Sequence, residues 1–187
     1  MLESFFATRS SESTRIFCYV DKDDPEKTAY AGLFDRLNVD HVFGPRLTMP
    51  EVINKGALSY LVDFYGEVND DHVYRTEFWD KRLIEGILKS GRTGLAYGRT
   101  ENLPGAVLIS AACVRALGWF VPPGFLHQFV DNAMTELYSE AGRINYVPEV
   151  FIEHCHPDFG KAELDATYAA VRDTWLQGQE RLAQWRT

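Results

Sequence analysis

Two adjacent carboxylates, Asp70 and Asp71, follow a segment that is typical of a short strand ending near Val68. Asn69 and His72 complete a polar turn around them. In open α/β sheets, ligands bind just beyond the carboxyl ends of the strands. Two neighbouring anions repel each other, so this pair would be stabilised by full solvation or by a bound cation. A solvated turn is the alternative, because Asp and Asn are common turn residues.

Three other polar groups lie at similar points of the predicted fold. An acidic turn, Asp21 to Asp24, follows the apolar segment 15–20, and His154 to His156 follow the segment 144–152. Asp131 falls in the first turns of a predicted helix. Because the carboxyl ends of parallel strands lie at one edge of a sheet, these groups can meet although they are far apart in sequence.

A combined site of Asp70, Asp71 and His154 would be rich in oxygen ligands and would carry one imidazole. That composition suits Mn²⁺ or Mg²⁺ better than a closed zinc cage. The alternative for His154 to His156 is a surface loop, or a histidine whose hydrogen bonds are satisfied within the protein. The acidic turn Asp21 to Asp24 is equally consistent with contacts to a nucleobase or ribose and with an Asp-Pro turn that binds no ligand.

The elements that position these groups alternate along the chain. Strands are predicted at 15–20, 39–43, 64–68, 94–97, 106–109 and 144–152. Helices are predicted near 2–9, 26–37, 50–61, 76–90, 111–117, 127–141 and 161–185, and Thr76 is a candidate helix N-cap. Alternating strands and helices predict a single α/β domain with a mostly parallel central sheet.

Composition limits the function classes. With 187 residues and 45% hydrophobic content, the chain is large enough to bury the core of one globular domain. No apolar run approaches the roughly 20 residues that span a membrane, and the N-terminal pattern is not that of a signal peptide. Three scattered cysteines favour free thiols in a reducing cytoplasm. The net charge of −8 argues against broad binding to nucleic-acid phosphates, and an anionic ligand would need a cation.

Five segments in a fixed order resemble the motifs of GT-A-fold glycosyltransferases: Tyr19–Pro25, Asn54–Ala57, Asn69–His72, Arg75–Asp80 and Glu153–His156. More narrowly, the chain resembles the small family-2-like glycosyltransferases of bacteriophages and actinobacteria over nearly its whole length. The resemblance implies a Rossmann-like α/β/α sandwich. It also implies metal-dependent transfer of a sugar from a nucleotide-sugar donor, with a UDP-sugar expected, to an unidentified acceptor.

The resemblance assigns roles to individual residues. Asp70 and Asp71 correspond to the metal motif that binds a divalent cation on the donor diphosphate, and His154 matches the histidine that completes the metal shell. Asp131 lies where inverting members carry their general base. The expected contacts to the donor nucleotide come from Asp21, Asp23, Asp24, Arg46, Asn54 and Asp70. The acceptor is open: a protein, a small molecule or a hydroxymethylated DNA base, reached in the host cytoplasm if the enzyme is phage-encoded.

One departure from the family pattern leaves other functions open. Family members open with a strand before the first helix, and this sequence begins within that helix, so the usual first strand is expected to be missing. An exposed strand flank would favour self-association. One alternative is therefore a non-catalytic nucleotide-sugar-binding or structural domain of the same fold, and another is a metal-dependent nucleotidyltransferase. Simple kinases and dehydrogenases are disfavoured, because neither a P-loop nor a dinucleotide-binding glycine motif occurs.

Overall fold

The computed structural model describes residues 1–100, 104–163, 172 and 174–187. The described helices are α1 Leu2–Thr8, α2 Lys27–Leu37, α3 Met49–Ser59, α4 Trp79–Lys89, α5 Ala111–Leu117, α6 Val130–Glu140 and α7 Trp175–Trp185. The strands are β1 Phe17–Asp21, β2 Asp40–Gly44, β3 Phe64–Glu67, β4 His72–Tyr74, β5 Leu95–Arg99, β6 Val107–Ser110 and β7 Ile144–His154. The predicted α/β class is therefore confirmed.

The strands form two sheets. β1 and β2 make a parallel pair, and the other five strands form a sheet in the order β3-β6-β5-β7-β4. Within the larger sheet, β5 and β7 are parallel, whereas the three remaining pairings are antiparallel. The predicted mostly parallel sheet is not confirmed. One reason is the short connection between Arg99 and Val107, since parallel neighbours need a crossover of about a dozen residues or more.

Strand β4 begins at His72, the last residue of the predicted turn, and no strand was predicted there. His72 and Tyr74 are buried, and β4 pairs antiparallel with the end of β7, with His72 opposite His154. Thr76 does not cap the next helix, which begins at Trp79; its hydroxyl instead accepts a hydrogen bond from the Phe151 N–H at 2.9 Å. The pairing of β4 with β7 brings the turn after β3 to the carboxyl end of β7.

The core lies on both faces of the larger sheet. One face packs against α5, α6, α7 and the loop before α6, with Ile109, Val121 and Val130 fully buried. The other face packs against α4 through Leu83 and Ile87, which are one helical turn apart. These two layers hold the ends of β3 and β7 in fixed positions.

Helix α1 joins the two sheets. Leu2 packs against the β1–β2 unit, and Phe5 packs against the larger sheet. The connection that follows is held by Asp80, a buried carboxylate that accepts hydrogen bonds from the Ser10 N–H at 2.7 Å and the Thr14 hydroxyl at 2.5 Å. Among the described residues, side chains therefore join the sheets, since no strand pairing links one sheet to the other.

The last helix, α7, occupies the end of the predicted helix 161–185, and part of that prediction lies outside the described residues. In the part of the chain that the structure describes, no helix has the length and apolar character needed to span a bilayer.

Candidate functional site

The site is built where the turn after β3 meets the end of β7. The Asp71 carboxylate lies 3.0 Å from Nε2 of His154, and both side chains are largely buried. The Cys155 N–H donates to the Asp71 carbonyl at 2.9 Å, which fixes the turn against the strand end. The sequence predicted that these two side chains would converge, and the structure brings them together across 83 residues of chain.

His72 lies beside the Asp71–His154 pair, but the position of its ring proton makes it a poorer metal ligand. Its ligand atoms fall with those of Asp71 and His154 within 4.8 Å of one another, and its ring centroid is 4.6 Å from that of His154. However, Nδ1 of His72 accepts a hydrogen bond from the Asn69 N–H at 2.9 Å. The proton of the neutral ring is then on Nε2, so His72 presents a donor to the site and not a lone pair. Asp71 and His154 are therefore the better metal ligands.

The chemistry of Asp71 and His154 fits a divalent cation. A carboxylate oxygen and an imidazole nitrogen are both ligands of manganese-type ions. In an octahedral shell with bonds of about 2.1 Å, adjacent ligand atoms are about 3.0 Å apart, which is the separation seen here. The same contact is also satisfactory without an ion, because an ionised carboxylate accepts the imidazole N–H. A bound metal ion would take the place of the proton in the hydrogen bond between His154 and Asp71.

The Asp70 charge affects the pKa values of residues in the β1–α2 unit. Burial and then the Asp70 charge raise the pKa of the Cys18 thiol to about 11, and Asp70 also contributes to the raised pKa of Tyr30. Both of these residues belong to the β1–α2 unit. The two adjacent carboxylates therefore interact with different elements. Asp71 contacts His154 at the end of β7, and the Asp70 charge acts on Cys18 of β1. Of the three predicted metal ligands, the cluster of ligand atoms contains Asp71 and His154 but not Asp70.

Two further acids, Glu67 and Asp131, lie near the Asp71–His154 pair. Glu67 ends β3 on the same face as Tyr65, which is the face covered by α6. Burial, followed by the Asp131 charge, raises the pKa of the Glu67 carboxyl to about 8. Asp131 lies in the first turn of α6, where burial raises its pKa although a backbone hydrogen bond and the His127 and His154 imidazoles oppose the shift. Glu67 therefore holds a proton at neutral pH.

His127 completes this side of the site. Burial lowers its pKa, while the Asp131 and Asp71 carboxylates act in the opposite direction and His156 adds to the lowering. His154 and His156 also lie close, with ring centroids 5.1 Å apart. Four of the five histidines of the sequence, His72, His127, His154 and His156, therefore lie near the Asp71–His154 pair, and the fifth, His41, lies on β2.

The acidic turn predicted to bind the nucleotide follows β1. The Asp21 carboxylate makes an ion pair with Arg46 at 3.0 Å, which joins the ends of β1 and β2. The Asp24 side chain accepts a hydrogen bond from the Glu26 N–H at 2.8 Å, within the turn that precedes α2, and Asp23 is exposed. The structure thus places Asp21 and Arg46 together, while Asp24 has a local structural role.

Asn54 contacts protein backbone. Its side-chain oxygen accepts hydrogen bonds from the Phe120 and Val121 N–H groups at 2.7 and 3.1 Å, and its amide nitrogen donates to the Val121 carbonyl at 3.0 Å. Both acceptor positions of the side-chain oxygen are therefore used. Asn54, predicted to contact a nucleotide, joins α3 to the loop 119–129.

Two of the acid-site residues, Glu67 and His127, were not singled out from the sequence. A charged residue on the inner face of a short strand was the available signal for Glu67, while His127 was read only as the start of a helix that in fact begins at Val130. Comparison with models of protein families and with curated proteins finds no match to this chain.

Proposed function

We propose that the protein is a metal-dependent glycosyltransferase of the GT-A type that transfers a sugar from a nucleotide-sugar donor, with a UDP-sugar expected, to a hydroxyl acceptor. The observation that carries the proposal is the 3.0 Å contact between Asp71 and His154 at adjoining strand ends. A carboxylate and an imidazole at this point are the ligands such an enzyme needs for a divalent ion, Mn²⁺ or Mg²⁺. Two half-buried acids beside them, Glu67 and Asp131, whose carboxyl pKa values are raised, supply groups for proton transfer.

In this proposal the residues divide by position. Asp71 and His154 would hold the cation, which when bound neutralises charge on the donor diphosphate. Asp70, on the side of β1, and the Asp21–Arg46 pair would contact the nucleoside. Asp131 would accept the proton of the acceptor hydroxyl, because burial raises its pKa toward the working range of a general base.

A non-catalytic nucleotide-sugar-binding domain is the second candidate. The observation that favours it is the separation of the β1–β2 pair from the larger sheet, since the proposed nucleoside contacts lie on the first and the metal ligands on the second. A donor that contacts both parts would be placed for reaction only if the two parts kept a fixed relative position. If they did not, the protein would bind the donor without turning it over.

Calorimetry with UDP, with and without Mn²⁺, tests the metal-dependent binding. We expect Mn²⁺ to strengthen UDP binding by about tenfold or more in the wild type, as one charge-assisted contact would. The same gain should be absent in Asp71→Ala and present in Asp35→Ala, which removes an exposed carboxylate of α2. Metal-independent UDP binding that is unchanged in Asp71→Ala would contradict the proposal.

Release of UDP from UDP-sugars separates the two candidates. A glycosyltransferase should release UDP slowly by hydrolysis without an acceptor and faster with one, and Asp131→Asn should abolish the release while leaving Mn²⁺-dependent UDP binding in place. Binding with no release from any UDP-sugar would favour the non-catalytic domain.

A further inference from the structure

The loop 119–129 connects α5 to α6 and leads directly into Asp131. It carries Phe120, Val121 and Phe125, which are buried in the core on the α6 face of the larger sheet. His127 follows these anchors within the loop. The position of the loop therefore sets where His127 and the first turn of α6 lie relative to the Asp71–His154 pair.

Asn54 holds the first half of this loop. Its three hydrogen bonds to Phe120 and Val121 satisfy two N–H groups and one carbonyl, as a paired strand would. The helix that carries Asn54 begins in a capping box of Thr48 and Glu51, two residues after Arg46. Asn54 thereby connects the loop to the part of the chain that pairs with Asp21.

Arg181 of α7 holds the second half. Its Nη2 donates to the Pro123 carbonyl at 3.0 Å, and its guanidinium lies 5.8 Å from the centre of the Phe125 ring. Gly124 between them has φ +88°, and a Cβ atom there would come within 2.8 Å of the guanidinium. The positive φ favours glycine at this position, and a side chain there would also displace the Arg181 guanidinium from the loop.

Helix α7 also contacts both ends of the loop. Gly178 packs against Phe129, where an added Cβ would come within 2.7 Å of the ring. Trp185 makes an edge-to-face contact with Trp119, with ring centroids 5.9 Å apart. Contacts from α3 and α7 thus fix the loop at its beginning, middle and end.

We propose that Asn54 and Arg181 are positioning residues that hold the loop 119–129, and through it His127 and Asp131, in place beside Asp71 and His154. This inference rests on the proposed function, because it assigns the two residues to the proton-transfer side of that reaction. Neither residue touches the donor in this arrangement. Their loss should therefore change the rate of the chemical step more than the binding of the donor.

Amide hydrogen exchange tests the hold on the loop without any need for activity. We expect Asn54→Ala to speed exchange of the loop amides by about tenfold or more, since it leaves two N–H groups unbonded. Asn145→Ala is the matched control, because it removes a half-buried amide that donates to the Leu95 carbonyl at 3.0 Å on the other face of the sheet, against α4. Arg181→Ala should act like Asn54→Ala, and Arg181→Lys, which keeps a donor, should restore part of the protection.

Turnover of the donor tests the positioning itself. For each variant that folds, we expect kcat to fall by about tenfold to a hundredfold, as small displacements of a reacting group do, with the donor KM within about twofold of the wild type. Asn54→Asp retains the two accepted bonds and should lie between the wild type and Asn54→Ala. Unchanged loop exchange in both alanine variants, or a loss expressed in KM alone, would overturn the inference. Absence of turnover in the wild type would overturn the proposed function, and the exchange data would still decide whether the two residues hold the loop.

Discussion

Replacement of Glu67 by glutamine should make the stability of the protein less sensitive to pH. Folding raises the pKa of Glu67 to about 8, chiefly through burial, whereas an unfolded chain releases the same proton near the ordinary glutamate value of 4.5. Between these values the folded state binds more protons than the unfolded state, so stability falls as pH rises. A glutamine side chain at this position would mimic the protonated acid at every pH, since it is neutral and of nearly the same shape.

The size of the effect follows from how steeply the free energy of unfolding changes with pH. One extra proton in the folded state costs about 1.4 kcal/mol of stability per pH unit. From pH 5.5 to 7.5, which lies inside the window, the free energy of unfolding of Glu67→Gln should therefore rise relative to the wild type by about 2–3 kcal/mol. Asp131 and His127 are present in both proteins, and the Asp131 charge is one of the causes that raise the pKa of Glu67.

Urea unfolding at a series of pH values measures this difference directly. Glu85→Gln, at an exposed position of α4, is the matched control and should track the wild type at every pH. A difference between Glu67→Gln and the wild type that is the same at pH 5.5 and pH 7.5 would refute the inference that Glu67 is protonated in the folded protein.

Three further predictions follow from contacts described above. Asp80→Ala should lower the free energy of unfolding by about 1–3 kcal/mol in urea melts, because two hydrogen bonds to the connection after α1 lose their acceptor; unchanged stability would contradict this. Gly124→Ala should lower it by about 1–3 kcal/mol, since a side chain there is strained at positive φ and collides with Arg181, and a neutral effect would count against the close approach. Alkylation of Cys18 at pH 8, followed by peptide mass spectrometry, should be slow and should speed up in Asp70→Asn, because the Asp70 charge helps to raise the thiol pKa; equal rates would place Asp70 elsewhere.

The fold class and the Asp71–His154 contact could be predicted because they depend on simple patterns. Alternation of apolar segments identified most strands and helices, and polar residues at strand ends identified the groups that meet. Helix α5 is an example, since it was predicted at 111–117 and has these bounds in the structure. These features are local, or follow directly from the order of local elements.

Other features depend on pairing between distant residues, and the sequence did not predict them. Strand β4 has three residues and exists through its pairing with β7, so periodicity could not reveal it. Asn54 has a polar side chain that suits a ligand, but the Phe120 and Val121 backbone groups that folding brings near bond to it. The different interactions of the two adjacent carboxylates also needed coordinates, because Asp71 contacts His154 whereas the Asp70 charge acts on Cys18 of β1.

The division of the strands into a pair and a sheet of five has a thermodynamic consequence. Two strands alone are marginally stable, and among the described residues no ladder joins β1–β2 to the larger sheet. The β1–α2–β2 unit should therefore open as a sub-global unit while the five-stranded sheet remains closed, with faster amide exchange in β1 and β2 than in β5 and β7. A ligand that contacts both Asp21 and Asp71 would link the two units, so its affinity and the exchange protection of β1 would rise together.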